Sequence, residues 1–581
     1  MRQLLRRPGR LALDTLATVT STRARAGIRR WSTTSLSAFA LYCLVAFLYF
    51  GLRLLIEPGS QYLGYGTDPE IFIWSFAWWP HAILNGQNPF FTQAIWAPSG
   101  VNLTWTTSVP GLALLFSPLT LAVGAIGSYN VAATLLPAFA AWTAFLLCRQ
   151  LTRSFGPSLV GGFLFGFSSY MLSQEEGHLH LTSVFLVPLV ALVLVRYLEG
   201  ELDARGLVVR LAPLLAFEVL LSTEVAFTLA LALLLGLALG LAAVPARRRR
   251  IVSLVPALAV ASALAAAALA PFLYYAVTGY QSTSLNSPKA YDADVLNYFV
   301  PTKLSAASFR WGASIAAHFP GNDSEQGAWL GFPALLIVAL YAWRRGRTPT
   351  GRFLLAALAL AVFLSLGNEL IVDGHRRAWL PWSLIVDDPF FDNVLTVRLV
   401  MYASLIVAVV VALWTASRAR GLLRWVLPAL AMIAVLPNPA AGVWATTFTV
   451  PSFFTSSSYR RCLGPGETVL PFPISAPGLP MLWQVEDAFR FRMAGGEIAP
   501  APPSSFVSTR EAKVIAQGYP VPPQQAALLR SFIQEKGVTS VVVDQGDAGK
   551  WSLAMNTIAT PHYLGGVIVY RVGSTASCFG G

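Results

Sequence analysis

Two short stretches and one widely separated pair of residues carry the side chains in this 581-residue chain that move protons and hold phosphate. The first stretch is Gly64-Tyr65-Gly66-Thr67-Asp68-Pro69-Glu70, followed by the aromatic run Phe72, Trp74, Phe76, Trp78 and Trp79. Asp68 and Glu70 are candidate general bases, because a carboxylate beside a hydroxyl takes its proton as the oxygen attacks. The same residues also suit an ordinary hydrated helix start, with Pro in the first turn and acids at the positive end of the dipole. The second stretch is Ser173-Gln174-Glu175-Glu176-Gly177-His178-Leu179-His180, holding two of the six histidines. His178, His180 and Glu176 read either as phosphate- or substrate-orienting groups or as structural ones. A metal site needs further ligands at good geometry, and none stands nearby, so no metal ligands are assigned and a divalent cation is left open. The pair is Glu224, in a turn between two apolar runs, and Arg398, opening a later run after Asp392. Ionised groups near membrane depth are costly and read as functional, although Arg398 also suits a snorkelling anchor.

These groups must be positioned by elements that live in lipid. The chain is 55% hydrophobic and only 12% charged, about half the charged fraction of a soluble protein. Apolar runs of ~20 residues, the length that crosses a hydrocarbon core, recur from Leu36 to about Ala441. The net charge of +13 is mostly Arg in short breaks between these runs, such as Arg247–Arg250, Arg344-Arg345-Gly346-Arg347 and Arg418-Ala419-Arg420. That pattern marks cytoplasmic loops and argues against nucleic-acid binding. The Arg-rich start reads as a cytoplasmic tail, 1–35, rather than an organellar transit peptide, and 36–55 is long for a signal peptide.

Placing the basic breaks inside gives about eleven spans: 36–55, 129–148, 157–173, 181–198, 208–222, 225–244, 251–277, 327–343, 353–367, 394–415 and 422–441. Pro110–Ile126 is apolar, but counting it as a span would invert every later loop. Pro110, Pro118 and Gly124–Gly127 instead suggest re-entrant or interfacial helices within an outer loop, 57–128. The aromatic run after Asp68 reads as a helix lying in the membrane interface. A second outer loop spans 278–326. Acids not used in the threading, including Asp323 and Glu325, then fall on the outer side with Asp68, Glu176 and Glu224.

After Pro439 the composition turns to Pro, Gly and Ser. Gln524–Lys536 reads as a helix closed by Gly537, and Thr539–Asp544 and Gly566–Val572 as strands. The expected fold is an α-helical polytopic membrane domain, 36–441, with a small extracytoplasmic α/β domain, 442–581. The chain would sit in the cell membrane, N-terminus cytoplasmic and C-terminus outside. Cys43 and Cys148 read as core residues, and Cys462 and Cys578 either as a permitted disulfide or as free thiols. No Walker A loop, dinucleotide fingerprint, HExxH or CxxC pair is present.

Several of these residues together resemble the GT-C superfamily of polytopic glycosyltransferases, and within it the bacterial YfhO-like and actinobacterial kinds. The features are Asp68-Pro69-Glu70 after the first span, Asn88-Pro89-Phe90, Pro98-Ser99-Gly100-Val101-Asn102-Leu103, Gly177-His178-Leu179-His180 and Phe491-Arg492-Met493-Ala494-Gly495-Gly496. One departure is Pro69, which separates acids that are adjacent in many members. The resemblance implies an inverting membrane glycosyltransferase taking sugar from a polyprenyl-phosphate-sugar donor to an outer-face lipid or cell-envelope glycan acceptor. It implies Asp68 as the general base with Glu70 as second choice, and Arg398, His178 and His180 facing the donor phosphate. A lipid or polysaccharide transporter, or a non-catalytic envelope-assembly protein on the same scaffold, are the rival readings. Transporters usually show paired halves, and no half-to-half similarity is evident here.

Overall fold

The computed structural model describes residues 34–56, 59–279, 288–417, 421, 423–456, 462–474, 479–498 and 502–573. The expectations for residues 1–33, Arg418, Arg420 and Cys578 therefore lie outside the described residues. Apolar helices run back and forth between two chemically different ends. In chain order they are α1 (Thr34–Tyr49), α2 (Asp68–Leu84), α3 (Pro110–Leu115), α4 (Ser117–Thr152), α5 (Phe155–Gly166), α6 (Leu186–Glu199) and α7 (Ala204–Leu221). Then come α8 (Thr223–Ala243), α9 (Leu254–Ala268), α10 (Phe332–Arg345), α11 (Pro349–Ser365), α12 (Val400–Ala416) and α13 (Leu423–Ala434). Among the described residues, six helical segments are long and apolar enough to cross a membrane, the longest being Ser117–Thr152. Shorter apolar helices cover Thr34–Tyr49, Pro349–Ser365 and Arg424–Ala434.

One end of the bundle is basic. There Arg153 bonds Glu199 at 3.1 Å and Glu201 at 2.9 Å, and Arg250 lies 5.7 Å over the Tyr197 ring. The opposite end gathers Asp68, His178, Glu224 and Arg398. The apolar stretch 110–126 is not one continuous helix: Phe116 separates α3 from α4, Pro118 opens α4, and Gly124 breaks it at φ 81°.

The first structural correction concerns α2. An interfacial helix would show lipid or water one face, yet from Pro69 to Pro80 every residue except Ala77 is buried by protein. Trp74 Nε1 donates to Gln484 Oε1 at 2.7 Å, and Trp79 Nε1 to the Ser108 carbonyl at 3.0 Å. The helix is apolar on every side, which is the mark of a core helix rather than a surface one.

The C-terminal segment covers α2 together with α3 and α4. Its mixed sheet holds β3 (Thr468–Phe472), β4 (Arg492–Met493), β5 (Ser540–Asp544), β6 (Pro561–Leu564) and β7 (Val567–Arg571), in the order β6-β7-β5-β3-β4. The pairs β6–β7 and β7–β5 are antiparallel, and β5–β3 and β3–β4 parallel. Val541, Val542 and Val543 are fully buried in β5, and helices Leu479–Glu486 and Ala526–Glu535 flank the sheet. Gly537 takes φ 62° just past the second of these.

This unit shares one continuous hydrophobic core with α2 and α4. A two-stranded pairing of β1 (Gln61–Leu63) with β2 (Ala445–Thr447) crosses the boundary near 441. Residues 94–97 also bond directly to 493–495, with Trp96 N to Gly495 O at 2.9 Å and Ala97 N to Met493 O at 2.8 Å. Cys43 and Cys148 are free, and Cys462 is disulfide-bonded.

Candidate functional site

Two loops meet at the polar end because glycines let them. Gly64 takes φ +92°, and a Cβ there would fall 2.9 Å from the Glu176 carbonyl oxygen. A Cβ on Gly177 would fall 2.8 Å from the Tyr65 carbonyl oxygen. Side chains larger than hydrogen would push the loops apart. With none there, Tyr65 N donates to Glu176 O at 2.5 Å, and the start of α2 is held against the 174–180 turn.

That contact brings Asp68 to His178. Asp68 Oδ2 lies 3.4 Å from His178 Nε2, and its side chain is 39% exposed, so it is the acid open to a substrate. His178 Nδ1 lies 2.8 Å from Gln174 Oε1, while Gln174 Nε2 donates to the Ser324 carbonyl at 2.7 Å. The carbonyl fixes the amide orientation, so Gln174 presents an acceptor to Nδ1, which must carry the proton. Nε2 is left facing Asp68.

Behind the histidine lies a buried ion network. Glu325 Oε1 is 3.9 Å from His178 Nδ1. Arg398 Nε donates to Glu325 Oε2 at 3.0 Å, its Nη2 also bonds Glu325, and its Nη1 reaches Glu224 Oε2 at 2.5 Å. Burial raises Glu325, but the Arg398 guanidinium overrides it and holds the carboxyl below its ordinary range. Arg398, expected to face the donor phosphate, enters the site already bound by two carboxylates.

The remaining expected residues separate. Glu70, on the same helix turn as Asp68, is buried: Oε1 accepts from Tyr62 Oη at 2.9 Å and Oε2 has no hydrogen-bond partner. Burial, with Glu497 adding and the Tyr62 bond opposing, pushes Glu70 up to about 7. His180 is buried and packs on Phe72, ring centroids 5.7 Å apart, with Nδ1 unpartnered. Its ring centroid lies 6.1 Å from that of His178. Glu176 is raised to about 7 by burial, with Asp323 and Glu325 adding and Lys303 opposing. Among the described residues no three His, Cys, Asp or Glu side chains converge as metal ligands.

A family model described as a domain of unknown function, DUF6311, matches residues 39–436. The chain belongs to that family. Among solved structures, the DUF6311 protein is similar to the arabinofuranosyltransferase AftD from Mycobacteria, with TM-score 0.54 and 15% identity. The match covers 94% of this chain and 40% of that one, so the chain spans well under half of AftD. It also matches ArnT from Cupriavidus metallidurans bound to undecaprenyl phosphate, at TM-score 0.49 and 12% identity, covering 94% and 99% of the two chains. A third match is AglB from Archaeoglobus fulgidus in complex with an inhibitory peptide and a dolichol-phosphate. Its TM-score is 0.48 and its identity 14%, with coverage of 93% and 74%. No curated protein sequence matches the chain. In fold, the DUF6311 protein is like the arabinofuranosyltransferase AftD.

Sequence reasoning missed three members of this DUF6311 site. Glu325 and Asp323 figured only as acids on the outer side, although Glu325 is the buried carboxylate that joins His178 to Arg398. Lys303 was passed over. Its ammonium is more than half exposed, pairs with Asp323 Oδ2 at 2.7 Å, and feels Glu176 and Tyr65 as further charge partners. The available signal was position: all three lie in the loop before α10, as Glu224 lies in the first turn of α8.

Proposed function

We propose that the chain is an inverting membrane glycosyltransferase that uses a polyprenyl-phosphate-linked sugar and an outer-face lipid or glycan acceptor. One observation carries the reading: the half-exposed Asp68 carboxylate stands against His178, whose tautomer is fixed from behind by Gln174. Asp68 takes the acceptor hydroxyl proton as that oxygen attacks the anomeric carbon. The bond from that carbon to the phosphate oxygen breaks, its electron pair leaves with the lipid phosphate, and the sugar inverts. The proton on Asp68 then passes to His178 Nε2 and so to solvent, restoring the base.

The departing phosphate gains charge and needs a cation with free donors. Lys303, exposed at the mouth, suits this better than Arg398, whose donors already face Glu325 and Glu224. In this reading Arg398 sets the charge and position of Glu325 behind His178. Orientation follows from the two ends: Arg149, Arg153, Arg196 and Arg250 mark the cytoplasmic side and Asp68 the outer one. The eleven-span threading and an extracytoplasmic C-terminal unit belong to the same proposal.

The test is transfer by purified protein in lipid from a panel of radiolabelled polyprenyl-phosphate sugars to envelope lipid and glycan extracts. Wild type should transfer at least one sugar, and Asp68→Asn should transfer almost none. Sugar flipped across vesicles without transfer, or full transfer by Asp68→Asn, would overturn the assignment.

A further inference from the structure

We infer that the cavity at the seam between α2, loop 1 and the C-terminal unit is a carbohydrate subsite, binding a sugar unit distant from the reacting one. The cavity has a volume of about 220 Å³ and is lined by Trp78, Gln87, Asn88, Gln93, Phe489 and Arg492 among others. Its chemistry is that of a sugar-binding surface. The Phe489 ring stands edge-on to Trp78, centroids 5.3 Å apart, and 4.7 Å from His81, forming an aromatic wall for the C–H face of a pyranose or furanose ring. Gln87 and Gln93 are exposed amides carrying both donors and acceptors, and Arg492 adds further donors, which together match the hydroxyl rim of a sugar.

The backbone places this wall deliberately. Ala488 and Phe489 are consecutive non-glycine residues with φ of 51° and 61°. Such conformations are strained and persist where the surroundings hold them. Here they swing Phe489 off the end of helix Leu479–Glu486 and against α2.

The position is equally telling. Asp68 and Trp78 lie on one helix ten residues apart, about 15 Å along its axis at an α-helical rise. A single sugar cannot touch both, so a unit held in the cavity is distinct from one that reacts at Asp68. That the bound glycan is the acceptor rests on the transfer reading above; that the cavity binds sugar does not.

Binding is therefore measured without turnover, by saturation-transfer NMR on the full chain in lipid nanodiscs. Maltoside detergents are avoided because they are themselves disaccharides. The probes are arabinose-, mannose- and glucose-based oligosaccharides of graded length. Saturable binding of at least one series is expected, retained in Asp68→Asn and weakened at least tenfold in Phe489→Ala. Because Phe489 also packs on Trp74, Gln87→Ala and Gln93→Ala, both at exposed positions, provide the same readout with less risk to folding, and each is expected to weaken binding several-fold. No saturable binding in any series, or binding unaltered in every lining variant, would overturn the subsite. Loss of transfer evidence with binding intact would overturn only the proposed function.

Discussion

Two regions of the molecule bury acids at the same end of the bundle and use them in opposite ways. In the loops around Asp292, both oxygens of each buried aspartate accept hydrogen bonds. Asp292 accepts from Asn368 N at 3.0 Å, Asn368 Nδ2 at 3.1 Å, Glu369 N at 3.1 Å and Thr396 Oγ1 at 3.2 Å. Asp294 likewise accepts from Leu296 N at 2.8 Å, Asp373 N at 3.2 Å and Gly374 N at 2.8 Å. Around Asp68 the bonding is left unfinished: one oxygen each of Glu70, Glu175, Glu176 and Glu224 is buried without a hydrogen-bond partner. Buried acids with complete donor sets hold loops together, while incomplete sets that face a half-exposed carboxylate mark where chemistry is prepared. Burial raises Asp292 to about 6 even against its hydrogen bonds, so a shifted carboxyl alone does not separate the two regions. The donor count does.

The sharpest way to break this contrast is to neutralise one acid from each region. Asp68→Asn should lower transfer by about 10²–10⁴-fold, the usual contribution of a positioned base. Its effect on stability should stay within roughly 0.5 kcal/mol, as for an exposed position. Thermal melting beside the transfer assay reads both, and an unfolded Asp68→Asn would place this acid with Asp292.

Next in size is the network behind His178. Glu325→Ala leaves the Arg398 guanidinium buried with Glu224 as its carboxylate partner. Breaking a buried pair from one side costs about 3–5 kcal/mol. Denaturant or thermal unfolding in lipid should show that loss, and Glu325→Gln, which keeps an acceptor, should show less. Asp292→Ala should cost about 2–3 kcal/mol through its orphaned donors. Hydrogen exchange should report it as lost protection at the Asn368 and Glu369 amides, and transfer per folded molecule should persist.

How much of this was legible beforehand follows the range of each interaction. The start of α2 at Asp68-Pro69-Glu70, the strand Ser540–Asp544 and the helix ending before Gly537 rest on local rules, and local residues reveal them. The pairing of Asp68 with His178 was half legible: both stretches stood out, but their contact depends on Gly64 and Gly177 meeting across more than a hundred residues. Glu325 with Arg398 joins positions 73 apart and has no local signature. The covering of α2 by the C-terminal unit was misread for a different reason. An aromatic-rich helix has the same composition whether lipid headgroups or protein cover it. The distinguishing signal was present in Ile71, Phe72, Ile73 and Trp74, four consecutive apolar residues that point around the whole helix and leave no face for water.

The smallest effect sharpens the comparison within α2 itself, between two acids that differ by half a helical turn. Glu70 titrates near 7 in the folded chain against an ordinary value of 4.5. The folded state therefore holds this proton more tightly than the unfolded one, so the residue lowers stability as pH rises from about 4.5 to 7 and keeps it lowered above that. Glu70→Gln removes the titration while leaving an oxygen to accept from Tyr62 Oη. The variant should match wild type near pH 4.5 and exceed it at pH 8 by on the order of 1–3 kcal/mol. Thermal melts across that range measure it. If the wild-type and variant curves run parallel from pH 4.5 to 8, Glu70 is not the buried, unfinished acid described here, and its distinction from Asp68 must be drawn some other way.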